Sequence, residues 1–316
     1  MAESEALSTA VDAERYPVFD VTDWAVVRRE QLGTKPKRWI LAPDGNRWLM
    51  KYTTDNQRSD GTSYRKGDDW SERVANGVAG RLGIPAARTE LALDRAAEAP
   101  GYGIISKSVL APHSGDPPQS PEELVHGNQL VDVELVGRER IGHTVEAIRQ
   151  ALDDISAPSG IDDHLTAWDV FVGYLLLDAV VGNTDRHEEN WAVIDRAGVR
   201  RLAATFDHAS CLGFLLDDER RMRHLHTRDR YDTPEAWADR AKSKFEGRPH
   251  PVVAAMRALD LTDQTVRQRW VGRCEDVDRL VEPISMVPED RMSPLARQFA
   301  ERVIRRNCQW LLDKFR

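Results

Sequence analysis

The stretch VVGNTDRHEENWAVI, residues 180–194, follows a long apolar run with a cluster of charged and amide side chains. Asp185 and Asn190 stand five residues apart, just after the helix-breaking Gly182. This is the spacing of a phosphoryl-transfer loop, in which the Asp orients an attacking hydroxyl and the Asn binds a divalent cation. The alternative is an ordinary polar turn, because Asn and Asp favour turns through local hydrogen bonds.

A second carboxylate supports the phosphoryl-transfer interpretation. Asp207 follows Asp185 by 22 residues and lies in the apolar context TFDHAS, where a bare charge is costly unless it meets a cation or hydrogen-bond donors. We therefore expect Asn190 and Asp207 to hold magnesium, since both offer the oxygen ligands that this hard cation prefers. His187 is a further candidate catalytic residue, either as a donor to the γ-phosphate or as a residue that orders the loop.

The N-terminal third of the chain offers the complementary positive charge. Two apolar runs flank the turn sequence DGN and predict a β-hairpin, with Lys51 on its second strand. The following segment, DDWSERVANGVAGRL, has helical apolar spacing and predicts a helix that carries Glu72, with Asp68 or Asp69 as its N-cap. A strand lysine that contacts the α- and β-phosphates and a helix glutamate that pairs with it are the partners that this chemistry uses.

A candidate phosphate loop precedes the hairpin. Gly33 and Thr34 lie in QLGTKPKRW, where backbone N–H groups at a turn can meet phosphate. The segment is neither a Walker A sequence nor a full GxGxxG pattern, so an ordinary turn is the competing interpretation.

The distribution of strand and helix signals along the sequence predicts an α+β fold with two lobes. Residues 1–20 are small, polar and acidic and predict a disordered tail. Strand and turn signals dominate residues 21–112, a small β-rich N-lobe that ends at a Pro-, Ser- and Gly-rich connection. Helical periodicity dominates residues 113–316, a larger C-lobe. Within it, residues 209–244 are rich in Arg, Asp and His and predict a solvated activation or acceptor-binding loop.

Composition limits the classes of partner. The 316 residues are 41% hydrophobic and 30% charged, with a formal net charge of −8, which argues against a nucleic-acid binder. The three cysteines are widely separated, form no CxxC pair and fit a reducing compartment. No secretory signal or membrane-spanning segment is visible, so we expect a cytoplasmic protein without integral membrane association.

The order of these motifs resembles the HipA-like kinase family. The likeness runs from the GTK loop through WLMKY, WSERVANGVAGRLGIP and GIISKSVL to GNTDRHEENW and TFDHAS, and covers roughly residues 30–310. It implies a two-lobed kinase-type fold that binds ATP with magnesium and phosphorylates Ser or Thr, including residues of the kinase itself. It further implies Asp185 as the catalytic base, Asn190 and Asp207 as magnesium ligands, and Lys51 as the phosphate-binding lysine.

The resemblance also implies a place for the adenine ring. In this family the strand that ends the N-lobe leads into a hinge that contacts adenine. Here the corresponding residues are those of the segment from Ser106 to Val109, including Lys107 and Ser108.

Several alternatives stay open. Full-length members of the family carry an N-terminal domain ahead of the ATP loop, whereas only a short segment precedes it here, so an antitoxin partner is an open question. The DRHxxN pattern also resembles the loop of phosphatidylinositol kinases, which leaves lipid and small-molecule hydroxyls as acceptors beside protein Ser or Thr. A nucleotide-binding pseudokinase would keep the pocket without turnover, and a two-metal hydrolase would use the three polar residues without Lys51.

Overall fold

The computed structural model describes residues 15–29, 37–97, 101–111, 121–162 and 164–315. The predicted phosphate loop with Gly33 and Thr34 lies outside these residues.

A six-stranded sheet is the basis of the N-terminal lobe. The strands are β1 (Val18–Asp20), β2 (Ala25–Arg29), β3 (Lys37–Leu41), β4 (Arg47–Tyr52), β7 (Thr89–Asp94) and β8 (Gly101–Lys107). They lie in the order β1-β7-β8-β4-β3-β2, with β1 parallel to β7 and the other neighbours antiparallel. A hairpin of β5 (Asp55–Gln57) and β6 (Ser63–Arg65) follows β4. The predicted β3–β4 hairpin is therefore confirmed, and Lys51 lies on β4 opposite Ile104 of the central strand β8.

One helix, α1 (Asp68–Leu82), packs across this sheet and buries its predicted apolar positions. Its N-cap is Gly67, so the prediction of Asp68 or Asp69 as the cap is wrong. Both carboxylates instead lie in the first helical turn, where acidic side chains interact favourably with the helix dipole. Asp69 is fully buried there and pairs with Arg291, whose Nη1 atom lies 2.8 Å from its Oδ2 atom.

Residues 16–20, at the end of the predicted tail of residues 1–20, pack on the lobes. Val18–Asp20 form β1 and pair with Leu91–Leu93. Tyr16 is buried, its N–H donates to the carbonyl of Met286 at 2.7 Å, and the Arg73 guanidinium lies 3.5 Å from its ring centroid. Polar composition predicted a tail here, but the apolar and aromatic residues at its end bury enough surface to join the sheet.

The C-terminal lobe is mainly helical. Its helices are α2 (Val145–Ala151), α3 (Ala167–Val181), α4 (Asp218–His226), α5 (Pro234–Ala238), α6 (Pro251–Asp260), α7 (Gln264–Gly272), α8 (Val277–Ser285) and α9 (Pro294–Phe315). Every residue of α3, which contains the long apolar run of the sequence, is buried, and α6 and α9 pack against it.

Short strands complete this lobe beside the helices. They are β9 (Glu123–His126), β10 (Glu134–Val136), β11 (Glu139–Ile141), β12 (Ala192–Arg196) and β13 (Val199–Leu202). A three-stranded sheet has the order β13-β12-β9, and β10 and β11 form a separate hairpin. Among the described residues, no helix combines the length and the apolar character that a bilayer span requires.

Two elements differ from the sequence-based expectation. The predicted solvated loop of residues 209–244 contains α4, which Asp217 caps by accepting from the N–H of Arg220 at 2.9 Å. The helical periodicity of residues 113–316 does not reveal that the segment from Gln264 onward is two helices, α7 and α8, with Asp276 as the N-cap of the second. Apolar periodicity continues across that break and so hides it.

Candidate active site

Lys51 stands at the meeting point of the two lobes. Its Nζ atom donates to both carboxylate oxygens of Glu72, each at 3.4 Å, and to Oδ1 of Asp207 at 3.0 Å. The Lys51 side chain is 12% exposed and that of Glu72 is 1% exposed, whereas that of Asp207 is 35% exposed. The predicted strand lysine, helix glutamate and metal-binding carboxylate therefore form one charged cluster that opens to solvent at Asp207.

Electrostatics keep this lysine charged. Burial by itself lowers the pKa of Lys51, but the negative charges of Asp207 and Glu72 outweigh it and raise that pKa above its ordinary value. A permanently charged ammonium held by two carboxylates is suited to bind phosphate oxygens.

The predicted catalytic loop starts where α3 ends. Gly182 has φ of 68°, a left-handed conformation that ends the helix and that glycine adopts without strain. The side chain of Asn183 then donates to Asp178 of α3 at 2.7 Å, and its Oδ1 atom accepts from the N–H of Asp185 at 3.1 Å. These bonds hold the backbone at Asp185, while its carboxylate remains 38% exposed and reachable by an acceptor.

Arg186 joins the catalytic loop to the loop that carries Asp207. The side chain is fully buried and forms a two-pronged ion pair with Asp178, at 2.7 and 2.9 Å. It also donates to the carbonyl of Asn190 and to the Thr205 hydroxyl, the latter at 3.0 Å. Sequence reasoning assigned no role to Arg186, although an acidic residue within the apolar α3 run was a signal, because a buried carboxylate requires a partner.

Asn190 and Asp207 fit the donor set of a magnesium site. The Nδ2 atom of Asn190 donates to the carbonyl of Asp185 at 2.6 Å, which leaves its Oδ1 atom as the oxygen that can face a cation. Asp207 has φ of 61°, a strained left-handed conformation for a residue other than glycine. Such strain concentrates at functional sites. An amide oxygen and a partly exposed carboxylate are hard ligands that would suit magnesium.

The residue after Asp207 is a buried, neutral histidine. Burial is the largest cause that lowers the pKa of His208 far below its usual range, and the nearby positive charge of Arg186 adds to it. The Thr205 hydroxyl accepts from Arg186 and shares a hydrogen bond of 2.9 Å with Nε2 of His208. His208 is therefore a neutral residue that stabilises the loop through its hydrogen bond to Thr205.

His187 and Lys244 lie beside the candidate base. The Nδ1 atom of His187 accepts from the N–H of Glu189 at 3.2 Å, an arrangement that orders the loop, and burial lowers its pKa. Lys244, from the segment after α5, has its Nζ atom 3.6 Å from Oδ1 of Asp185. Sequence reasoning did not single out Lys244, which ends the segment of residues 209–244 and lies far along the chain from the catalytic-loop motif.

The predicted adenine-contacting residues lie at the end of the N-lobe sheet. Ser106 and Lys107 end β8, and the N–H groups of Lys107 and Ser108 donate to the carbonyls of Arg88 and Arg47 at 2.8 and 3.0 Å. These two donors are therefore engaged within the lobe. The next residue, Val109, packs with Leu110 and Phe206 on the buried Ala192, Ile194 and Ala203. This apolar cluster is chemically suited to a flat aromatic base.

Comparison with solved structures identifies kinases of the same fold. The chain aligns with the proinflammatory kinase CtkA of Helicobacter pylori at a TM-score of 0.64 and 17% identity, over 95% of this chain and 100% of that chain. It aligns with a chain of the HipA, HipB and operator DNA complex from the toxin–antitoxin system of Shewanella oneidensis MR-1 at a TM-score of 0.55 and 13% identity, over 95% of this chain and 68% of that chain.

By sequence, no protein-family model and no curated protein matches the chain. The structural likeness confirms the predicted fold class, a two-lobed kinase-like α+β architecture. The likeness of the catalytic loop to that of phosphatidylinositol kinases stays a prediction from the sequence.

Proposed function

We propose that the protein is an ATP- and magnesium-dependent phosphotransferase that acts on Ser or Thr hydroxyls of a protein, including its own. The observation that carries the proposal is the cluster in which Lys51 contacts both Glu72 and Asp207. A lysine paired with a helix glutamate and set against a metal-binding carboxylate is the arrangement that phosphoryl transfer from ATP requires.

Each residue has a separate role in this reaction. Lys51 binds the α- and β-phosphates, Glu72 holds Lys51 in place, and the apolar cluster beside Val109 receives adenine. Asn190 and Asp207 would hold magnesium, which supplies positive charge to the phosphate oxygens. Asp185 orients the acceptor hydroxyl and takes its proton as the bond from the hydroxyl oxygen to the γ-phosphorus forms and the bond to the ADP oxygen breaks. His187 orders the loop that carries Asp185.

The test is phosphoryl transfer by the purified chain. Wild-type protein, Asp185→Asn and the control Asp153→Asn, an exposed carboxylate remote from the cluster in sequence, are incubated with γ-labelled ATP and magnesium. Intact-mass and peptide analysis then locate the label. We expect label on Ser or Thr in the wild type and the control, and none in Asp185→Asn.

Other outcomes separate the alternative functions. Label on an added lipid or sugar hydroxyl, with none on protein, would move the proposal to a phosphatidylinositol-kinase-like or small-molecule kinase. Free phosphate without a phosphorylated product would indicate a hydrolase. Nucleotide binding without either product would indicate a pseudokinase.

A further inference from the structure

A cavity of about 370 Å³ lies directly beside the catalytic loop. Gly182 and Thr184 line it from that loop, and Thr184 is the residue before the candidate base Asp185. The N–H of Thr184 donates to the carbonyl of Ser210 at 3.1 Å, so the loop that follows Asp207 forms the adjoining wall. A group bound in this cavity therefore lies next to the loop that carries Asp185.

Apolar and basic side chains both line the cavity, and we call the apolar part of the lining the floor and the basic part the rim. Cys211, Phe214 and Trp237 supply apolar surface, and the charged residues among those that line it are Arg240, Lys242 and Arg248. We call this set of three cations with the apolar floor the basic cavity. Positive charge is concentrated here although the whole chain has a net charge of −8. A cleft lined by one sign of charge attracts ligands of the opposite sign.

The cations of the basic cavity are available to a ligand. In the portion of the chain that the structure covers, no carboxylate lies within 4.0 Å of the side chain of Lys242 or Arg248. Arg240 donates to a backbone oxygen, the carbonyl of Tyr231, at 2.6 Å. The nearby acids are engaged elsewhere, since Asp239 pairs with Arg306 and Glu246 accepts from a backbone N–H.

The segment that carries these cations is held rigidly. The buried Ser243 donates through its N–H and its hydroxyl to the carbonyl of Pro249, at 2.9 and 2.7 Å. The carbonyl of Lys244 accepts from His143, and the buried Phe245 stacks on the His143 ring with centroids 4.7 Å apart. Lys242 and Lys244 therefore alternate along the chain with the buried residues Ser243 and Phe245. A rim fixed in this way loses little conformational entropy when it binds a charged ligand.

We infer that the basic cavity is the acceptor subsite and that it selects an acidic peptide, with an apolar residue on the floor and Asp or Glu side chains at the rim. This inference rests on the proposed function and specifies its substrate class. The concentration of positive charge and the position beside the loop that carries Asp185 are the two observations that carry it.

The experiment measures label transfer from γ-labelled ATP to matched Ser peptides. The peptides share an apolar residue near the Ser and differ in flanking positions that carry Glu, Gln or Lys. The enzymes are the wild type, Lys242→Glu with Arg248→Glu, and the control Arg149→Glu with Arg279→Glu, which reverses two exposed charges on α2 and α8.

The wild type and the control should prefer the Glu peptides over the Gln peptides. The Lys242→Glu, Arg248→Glu enzyme should lose about tenfold in kcat/KM on the Glu peptides, the scale expected for two partly exposed charge contacts and lost steering. Its nucleotide binding should persist, which shows that it has folded.

Three results would overturn the inference. Equal transfer to Glu, Gln and Lys peptides would leave the kinase function intact and remove the acidic specificity. An unchanged preference in the Lys242→Glu, Arg248→Glu enzyme would place the specificity elsewhere. Transfer confined to lipid or sugar hydroxyls would exclude a peptide acceptor, whereas absence of transfer to any acceptor would refute the proposed function itself.

Discussion

Arg186 is fully buried, yet its hydrogen bonds position the loops of the candidate site. It holds Asp178 of α3 by two charged contacts and reaches the backbone at Asn190 and the hydroxyl of Thr205. The loops that carry the candidate base and the candidate metal ligand are thereby held to the same core helix. The geometry of the cluster depends on this guanidinium, because its planar fork serves several acceptors at once.

We predict that Arg186→Met lowers the free energy of unfolding by about 3–5 kcal/mol, because it leaves the Asp178 carboxylate buried without its cation. Urea denaturation measures the loss. Adding Asp178→Leu to the same protein should recover part of the stability, since the uncompensated charge is then gone. Equal stability of the single variant and the wild type would contradict this account of the pair.

Lys244 is expected to act at the transferred phosphoryl group. Its ammonium lies 3.6 Å from the Asp185 carboxylate, and both side chains are about two-fifths exposed, at 39% and 38%. We predict that Lys244→Met lowers kcat about tenfold, less than a fully buried donor would give, because solvent screens the charge. The KM for ATP should change little, and Lys244→Arg should restore part of kcat. Steady-state kinetics with both variants decide the point, and an unchanged kcat in Lys244→Met would exclude the role.

The residues of the candidate site differ in how far the sequence could reveal them. Asp185, Asn190 and Asp207 are recognisable because the chemistry of phosphoryl transfer sets their types and their spacing. Lys244 reaches the same place through tertiary packing, with Ser243 and Phe245 as buried anchors, and no local pattern records such a contact.

At the scale of elements, apolar periodicity identified helices that bury a face and missed those that do not. The helices α1, α3, α6 and α9 were all predictable from their buried positions. By contrast, α4 buries only Arg221 and His224, and its start depends on the Asp217 cap within a highly charged sequence. A helix without an apolar stripe gives no periodic signal.

The segment at Lys244 is tied to the β10–β11 hairpin through His143. This ring is fully buried, packs on Phe245 and bonds to the carbonyl of Lys244 at 3.2 Å. Burial lowers the pKa of His143 to about 4, although the Lys244 carbonyl and the nearby Glu188 oppose the shift. The histidine is therefore neutral in the folded protein at pH 7.

The sign of the pH effect follows from this shift. Below the unfolded pKa, about 6.5 for histidine, the unfolded chain binds a proton that the folded chain excludes, so stability falls as the pH falls toward 4. We predict that His143 contributes a loss of roughly 2 kcal/mol between pH 7 and pH 5. Urea denaturation should show a flatter pH dependence for His143→Phe than for the wild type. The control His164→Gln, at an exposed ring, should follow the wild type, and parallel curves for all three proteins would refute the assignment.

For the whole molecule, the loop from Thr205 to Asp217 connects the two lobes. Thr205 bonds to the backbone at Pro85 and Ala87, and the carbonyl of Ala209 accepts from the Ser71 hydroxyl of α1 at 2.7 Å. Farther along, Asp217 pairs with Arg58 at 2.8 Å. The loop that presents Asp207 is thus bonded to the helix that presents Glu72, so the two carboxylates around Lys51 are positioned together.

This coupling predicts that magnesium and ATP stabilise both lobes as one unit. A ligand at about a hundred times its Kd adds about 2.7 kcal/mol, which corresponds to a rise in Tm on the order of 5 °C. Asp207→Asn should abolish most of the rise, because the metal loses its charged ligand. Asp185→Asn should keep it, because this residue acts on the acceptor and not on the nucleotide. Differential scanning calorimetry of the three proteins, with ATP alone as the control for metal dependence, separates the two roles. If Asp185→Asn lost the stabilisation while Asp207→Asn kept it, the assignments of base and metal ligand would have to be exchanged.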